Sequence, residues 1–252
     1  SKSPLTGAIG AANSGGHWGP ELKFAGYDGI IFEGVSEKPV YLYINDETVE
    51  LRDASDIWGL DAFEATDKLY EKVGTSFRIA TIAESGERGA MFAGVMNDKH
   101  RAAGRGGMGS VMGSKNLKAI AVKGTHSVKV ARPDAFFEEC TKARATLAAH
   151  PVTGAGLSQL GTMILVNIVN GVGGLPVNNA SKGACYPDAD MISGETLAAK
   201  HLIRNKGCFG CSIGCGRLTD IQGGEFKSRG EGPEYEAGWS FGADCGVNDI
   251  GA

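Results

Sequence analysis

Three cysteines, Cys208, Cys211 and Cys215, lie within eight residues of one another. Thiolates at this spacing can point at one centre only if the backbone coils tightly, and Gly210 and Gly214 permit such coiling. Thiolate ligands are typical of iron–sulfur clusters and of structural zinc. A zinc ribbon would need a second Cys-x-x-Cys or a His pair, and the sequence contains neither. The pattern therefore favours a [4Fe–4S] cluster over zinc, and both over three unligated thiols.

A second motif with possible chemistry is the glycine-rich stretch 101–115, RAAGRGGMGSVMGSK, which contains a literal G-x-G-x-x-G. A dinucleotide-binding fold requires a strand directly before that motif and a helix directly after it. Here the preceding residues 97–101 are polar and turn-like, and a strand soon follows, so we expect no NAD binding. The loop amides, with Arg101 and Arg105, could instead bind an anion. The alternative is a glycine loop that only lets two strands pack.

Glycine is abundant along the whole chain, with 39 in 252 residues, about twice its ordinary frequency. Residues 13–16, NSGG, form a second small-residue loop in the same half of the chain as the first. Two such loops favour a large, flat, polar ligand lying against a sheet.

The composition excludes several classes of protein. A net charge of −4 and scattered basic residues give no footprint for nucleic acid. No apolar run approaches the ~18 residues that a membrane span needs, so no membrane-spanning segment is expected. Six cysteines, three of them clustered, suit a metal and a reducing compartment such as the cytoplasm. The chain begins at Ser1 rather than Met, which predicts an internal part of a longer protein.

Hydrophobic periodicity divides the chain into a β-rich part and a helical part. Strands are predicted over 29–33, 39–44, 48–52, 77–83, 91–96 and 118–123, with helices over 20–25 and 58–73. After about residue 124 only helices are predicted, over 133–149, 155–169 and 194–205. The sequence therefore predicts an α+β fold with a β-rich domain over 1–128 and a mainly α-helical domain over 129–252.

Three stretches together resemble a known family. Residues 3–28 (SPLTGAIGAANSGGHWGPELKFAGYD), residues 100–120, and Cys208–Cys215 followed by 231–236 (EGPEYE) are similar to the tungsten-dependent aldehyde ferredoxin oxidoreductases. The resemblance runs through nearly the whole chain. It implies a tungsten, less often molybdenum, ion held by two pyranopterin dithiolenes, with a [4Fe–4S] cluster alongside. It also implies a first domain of two twisted sheets, lacking its N-terminal strand segment here, which forms a base for the pterins.

The resemblance assigns roles to particular residues. The expected pterin contacts are Asn13, Gly15, Arg101, Ala102 and Gly104. The expected iron ligands are Cys208, Cys211 and Cys215, and Glu236 matches the glutamate beside the metal. The family's remaining pterin motifs, fourth cysteine and metal-side histidine come later than residue 252, so this chain cannot complete the site. From the residues alone Cys245 would be the fourth ligand, but the family pattern does not place it there, and we follow the family.

Glu236 is the predicted catalytic residue. It would act as the general base that activates water or the metal-bound oxygen for attack on an aldehyde carbonyl. Burial beside Tyr235 and Trp239 would raise the pKa of its carboxyl group and suit that role. The alternative is an acid placed at a helix N-terminus after Gly232-Pro233, where the helix dipole favours negative charge.

The predicted function is aldehyde oxidation with electrons passing singly through the cluster to ferredoxin or to an electron-transfer subunit. One alternative is the tungsten subunit of an aromatic acyl-CoA reductase, which the stretch 231–236 disfavours. Another is a non-catalytic iron–sulfur electron-transfer subunit, which would leave the glycine loops without a purpose. Homo- and hetero-oligomers both remain open.

Overall fold

The computed structural model describes residues 1–223 and 225–251. The chain divides into two compact units, Ser1–Lys129 and Val130–Ala252. The predicted boundary between residues 128 and 129 differs from this division by one residue. Helices and mixed sheets occur together, so the predicted α+β class is confirmed.

A six-stranded mixed sheet forms the centre of the first unit. Its strands are β1 (Val40–Asn45), β2 (Thr48–Asp53), β3 (Arg78–Thr81), β4 (Val95–Asn97), β5 (Arg101–Ala103) and β6 (Leu117–Lys123). Their order in the sheet is β2-β1-β6-β3-β4-β5, and β1 and β6 are the parallel pair. The resemblance implies two sheets in the first domain. Residues 1–129 form this six-stranded sheet, and the other sheet of the described chain lies in the second unit.

Both faces of the six-stranded sheet are covered. The helices of this unit are α1 (Trp18–Phe24), α2 (Ala62–Val73), α3 (Glu84–Glu87) and α4 (Met108–Gly113). One core cluster packs Tyr41 and Ile79 of the sheet against Leu69 of α2. The other packs Leu42 against Leu22 of α1. Because both faces are covered, β6 is buried at every residue except its last.

The second unit is helical around a smaller sheet. It begins with α5 (Pro133–Ala149), followed by a series of helical turns over 151–171 that includes α6 (Leu157–Leu160) and α7 (Leu165–Gly171). Next come α8 (Gly194–Lys200), β7 (Leu202–Lys206), β8 (Gly216–Ile221), β9 (Ser228–Glu231) and α9 (Tyr235–Phe241). The three strands pair antiparallel in the order β7-β8-β9. Met163, Val166, Leu197 and Ala243 belong to the core of this unit.

Four predicted elements differ from the structure. Of the strand predicted over 91–96, only Val95 and Met96 lie in a strand, β4. The helix predicted over 194–205 ends at Lys200, and the residues that follow pair with β8, a partner that local periodicity does not reveal. The helix predicted over 155–169 is interrupted at Gly161, whose φ of 66° is left-handed. Residues 29–33 are not a strand, although Ile30 and Phe32 pack against a core cluster as apolar side chains should.

The helical turns over Pro151–Gly171 are long and apolar enough to cross a membrane, by length and composition only. The sequence analysis expected no such segment. Its backbone is not one regular helix, since it contains a π-helical turn, a 3₁₀ turn and the left-handed Gly161. Met163 and Val166 within it are fully buried in the core of the second unit. The buried share of its apolar 18-residue window is 17%, and the expected lack of a span stays a prediction.

Candidate cofactor site

The glycine-rich loop 104–107 connects β5 to α4. A short strand therefore precedes the motif and a six-residue helix follows it, which the sequence analysis did not expect. However, β5 is the edge strand of the sheet and its neighbour β4 is antiparallel to it. A dinucleotide site requires parallel strands joined by the helix, so this loop does not form one.

Packing requires glycine at several positions of the glycine-rich stretch 101–115. Gly107 has a φ of 75°, and a β-carbon on it would lie 2.0 Å from the carbonyl oxygen of Met91. A β-carbon on Gly113 of α4 would lie 2.1 Å from the carbonyl oxygen of Gly86 in α3. Gly104 differs, because it is exposed and a β-carbon there would meet nothing within 4 Å. Gly104 is thus an exposed glycine of this stretch that packing does not require.

The second loop, residues 13–16, lies against the hairpin of β4 and β5. The Nδ2 of Asn97 in β4 donates a hydrogen bond to the Ser14 hydroxyl. A β-carbon on Gly16 would lie 3.2 Å from the Cγ of Arg101, so the backbone there passes close to the arginine stem. In the ladder Asn97 pairs with Arg101, which places both contacts at one end of the hairpin.

The structure therefore brings the five predicted pterin residues onto two adjoining segments. Asn13, Gly15, Ala102 and Gly104 are exposed, and Arg101 is half-buried. Exposed small residues beside a guanidinium fit the anionic, flat ligand that the sequence predicts.

The three cysteines lie on the loop that joins β7 to β8. Lys206 pairs with Gly216 at the base of this loop, and the Cys211 amide donates to the Cys208 carbonyl at 3.1 Å. Both internal glycines are left-handed, with φ of 68° at Gly210 and 62° at Gly214, a conformation that permits the tight coiling expected there. Cys211 is exposed, and Cys208 and Cys215 are half-buried.

The loop alone does not gather the three sulfurs. Across residues 1–223 and 225–251, no group of three His, Cys, Asp or Glu side chains is arranged to hold a metal ion. Cys245, the alternative fourth ligand, donates instead to the Ser240 carbonyl at 3.1 Å.

Arg217, two residues after the last cysteine, lies beneath this loop and is 2% exposed. Its Nη1 donates to the side chain of Asn205 and to the Gly214 carbonyl, and its Nη2 donates to the Leu157 carbonyl at 2.8 Å. Burial lowers the pKa of the guanidinium, while the charges of Cys215 and Glu234 act in the opposite direction. Its Nε is buried without a hydrogen-bond partner in the described part of the chain.

The donor set of the loop suits an iron–sulfur cluster. A cluster held by cysteine thiolates carries negative charge, and its properties depend on hydrogen bonds to its sulfurs. Arg217 supplies a buried positive charge and an unused N–H donor beside Cys215. The sequence analysis missed Arg217, and the one available signal was an arginine close after an expected cluster cysteine.

Glu236 occupies the first turn of α9. The strand before this helix, β9, ends at Glu231, and the next amide, Gly232, donates to the Arg217 carbonyl at 2.8 Å. The cysteine loop and the start of α9 therefore lie at the same end of the three-stranded sheet.

The expectation that Glu236 is buried is wrong for the described residues, since its side chain is exposed. Tyr235 and Trp239 are one turn apart and pack against the core, with ring centroids 6.4 Å apart. Glu236 follows Tyr235 by one residue and so projects from another face of α9. Its charge adds to burial in raising the pKa of the Tyr235 hydroxyl. The position matches the alternative interpretation, an acid in the first helical turn.

The carboxylate that is hydrogen-bonded to the rest of the fold here is that of Glu234. It accepts a hydrogen bond from the Thr162 hydroxyl at 2.6 Å, and that hydroxyl accepts the Tyr235 amide at 2.9 Å. An apolar cavity of about 320 Å³ also borders α9, lined by residues that include Ile192, Pro233, Gly238 and Phe241. Glu236 does not line this cavity in the part of the chain that the structure describes.

Paired glycine loops on a sheet, followed by a three-cysteine loop over a buried arginine, are features of a redox protein with a cluster and a larger cofactor. The family model described as aldehyde ferredoxin oxidoreductase, N-terminal domain, matches residues 1–124. The model for domains 2 and 3 of the same family matches residues 138–252. The chain belongs to the aldehyde ferredoxin oxidoreductase family.

Individual relatives agree with this family. The chain is 52% identical to a tungsten-containing aldehyde ferredoxin oxidoreductase of Pyrococcus furiosus and 53% identical to one of Pyrococcus abyssi, each over 99% of its length. It spans 41% and 40% of the lengths of these two proteins. Among solved structures it is similar to the active-site complex BamBC of a benzoyl coenzyme A reductase with 1,5-dienoyl-CoA. That likeness has a TM-score of 0.75 and 27% identity, over 98% of this chain and 41% of the other.

Proposed function

We propose that these residues are part of an enzyme that oxidises aldehydes to carboxylic acids at a tungsten, or molybdenum, bis-pyranopterin centre. Electrons would pass through a [4Fe–4S] cluster to ferredoxin or to an electron-transfer subunit. The observation that carries the proposal is the match to the family in both units, at 52% identity to a tungsten-containing relative. The paired glycine loops and the cysteine loop support it independently.

The first unit would bind the pterins. The loops that carry Asn13, Gly15 and Gly104 offer backbone amides with little side-chain bulk in the way. Arg101 and Ala102 lie on the adjoining strand, where the guanidinium can pair with anionic groups of the ligand. Tungsten with its pterins supplies the two-electron redox chemistry. The protein holds and orients it.

The second unit would hold the cluster and move a proton. Oxidation of an aldehyde by water yields a carboxylic acid, two electrons and two protons. Glu236 would accept one of those protons as water attacks the carbonyl carbon, a role open to an accessible carboxylate at the start of a helix. Cys208, Cys211 and Cys215 would each bind one iron, and the two electrons would leave singly through the cluster.

Aldehyde oxidation is preferred over the two other candidates. The higher identity to aldehyde ferredoxin oxidoreductases than to the benzoyl coenzyme A reductase complex favours it over aromatic-ring reduction. An electron-transfer subunit without a pterin would not need Gly104 exposed and clear of neighbours. None of the six cysteines, all within the described residues, forms a disulfide, which suits a reducing, cytoplasmic setting.

The deciding experiment is the metal and pterin content of the full-length protein, purified without oxygen. We expect about four irons, one tungsten and two pterins per chain. The variant Cys211→Ala should lose the cluster's spectroscopic signal and ferredoxin reduction together, while the matched variant Cys245→Ala keeps both. Iron without tungsten and pterin would contradict the proposal, as would a Cys211→Ala protein with an intact cluster.

A further inference from the structure

Arg217 is an unusual residue to find buried beside a loop of cysteines. It sits on β8 of the second unit at 2% exposure, where a charged side chain is costly unless it is paired. Its two terminal nitrogens meet carbonyl and amide oxygens of Asn205, Gly214 and Leu157. These neutral acceptors hold the guanidinium in one orientation but do not balance its charge.

The remaining donor, Nε–H, has no partner among the described residues. The Gly161 backbone packs closely here, since a β-carbon on it would lie 2.9 Å from Nε and 2.8 Å from the Cys215 carbonyl oxygen. Gly161 is left-handed, so any other residue there would be strained as well as crowded. Nε and the backbone of Cys215, the last cysteine of the loop, therefore both lie against Gly161.

Arg78 shares one of these features with Arg217 but differs from it in exposure and in its counter-ion. The Nε of Arg78 is also buried without a partner among residues 1–223 and 225–251. However, its side chain is 37% exposed and its guanidinium has a carboxylate counter-ion in Asp98 at 3.8 Å. The negative groups that act on Arg217 are Cys215 and Glu234. Of these, Glu234 is fixed by Thr162, and Cys215 is one of the expected iron ligands.

We propose that Arg217 is a positioning residue that tunes the iron–sulfur cluster, with its Nε–H donating a hydrogen bond to a sulfur of the cluster. The proposal rests on the assignment of the cluster to the cysteine loop. One-electron reduction makes the cluster more negative, and a buried guanidinium stabilises that form more than the oxidised one. Arg217 therefore raises the reduction potential, and Glu234 partly offsets it. The electron comes from the aldehyde and leaves to ferredoxin, so no further reactant is needed.

The test is a redox titration of the full-length enzyme, following the electron paramagnetic resonance signal of the reduced cluster. Replacement Arg217→Gln should lower the equilibrium constant for one-electron reduction by about tenfold, which corresponds to about 59 mV. Replacement Glu234→Gln keeps the oxygen that accepts from Thr162 but removes the opposing charge, so the potential should rise. Replacement Arg217→Lys keeps the charge without the Nε donor, so its potential should lie between those of Arg217→Gln and the wild type.

If Arg217 only holds the loop in shape, its variants will lose iron while the clusters that remain keep the wild-type potential, and that result would overturn the proposal. Should Arg217→Gln fail to fold, the opposite shifts expected of Arg217→Lys and Glu234→Gln decide the question, and unchanged potentials in both would refute it. Failure of the proposed function would look different, because the wild-type protein itself would then lack the cluster.

Discussion

Lys118 and Glu87 form an ion pair inside the first unit, with side chains 0% and 3% exposed. The Lys118 ammonium also donates to the Leu60 carbonyl at 2.8 Å, and the second Glu87 oxygen accepts the Gly59 amide at 2.8 Å. The pair therefore ties α3 and the loop before α2 to the central strand β6. Because α3 packs against α4, the same pair supports the helix that follows the glycine loop.

Replacing Lys118 by Met should destabilise the protein by about 3–5 kcal/mol, since it leaves the Glu87 carboxylate buried without its counter-ion. The measurement is urea unfolding of the full-length protein. Lys68→Met, on the exposed face of α2, is the matched control and should change stability by no more than about 0.5 kcal/mol. The double variant Lys118→Met with Glu87→Gln should recover part of the loss. Equal stability of the Lys118 and Lys68 variants would show that the pair does not stabilise the fold.

The glycines of the loop region should separate into structural and ligand-contacting positions. Gly113→Ala forces a β-carbon to within 2.1 Å of the Gly86 carbonyl oxygen, so we expect a loss of about 1–3 kcal/mol as α3 and α4 move apart. Thermal unfolding of the full-length variant measures this loss. A Gly113→Ala protein as stable as the wild type would contradict the close approach of the two helices.

Gly104→Ala should behave in the opposite way. Nothing lies within 4 Å of the added β-carbon, so folding should be unaffected. If the pterin lies against this loop, the methyl group obstructs it, and the pterin content of the purified enzyme should fall several-fold while its thermal stability without cofactor is unchanged. Full pterin retention would remove Gly104 from the site.

The sheet and glycine-loop residues show what the sequence could predict. Strands β1 and β2 follow from alternating apolar residues and β6 from a continuous apolar run, and α5 begins at Pro133 as expected because proline suits the first helical turn. The strands of the second unit were missed, since each depends on a partner separated by a loop that periodicity does not connect. Gly210 and Gly214 are left-handed, which is compatible with the tight coiling that clustered thiols would need.

Other features of the site depend on contacts that are distant in the chain. Arg217 donates hydrogen bonds to Leu157 and Asn205, and Glu234 accepts one from Thr162. Local residue spacing does not predict these pairs. Glu236 was expected to be buried because its neighbours are aromatic. In the helix those neighbours occupy the inward face and the glutamate does not.

Acid should lower the stability of the first unit through protonation of Asp46. Its carboxylate accepts hydrogen bonds from the Thr125 amide at 2.7 Å and the Thr125 hydroxyl at 2.8 Å, and these bonds hold its pKa below the ordinary 3.8. A lowered pKa means that the carboxylate adds stability above pH 3.8, which is lost as the pH falls through the lower folded-state pKa. Asp46→Asn should make unfolding less dependent on pH in this window. Identical pH profiles for variant and wild type would refute the linkage.

Glu236→Gln decides between the two interpretations of the acid in the first turn of α9. As a general base, its loss should lower the turnover of aldehydes by about 10²-fold or more, with the tungsten and iron contents unchanged. As an acid that only complements the helix dipole, its loss should cost about 0.3–1 kcal/mol of stability with turnover near normal. Aldehyde oxidation and metal content measured on one preparation separate these outcomes.

Glu138→Gln, an exposed glutamate on α5, is the control for the change of charge and should leave turnover unaltered. Near-normal turnover of Glu236→Gln would exclude the base role, and the carboxylate of the reaction would then have to be sought elsewhere in the full-length protein.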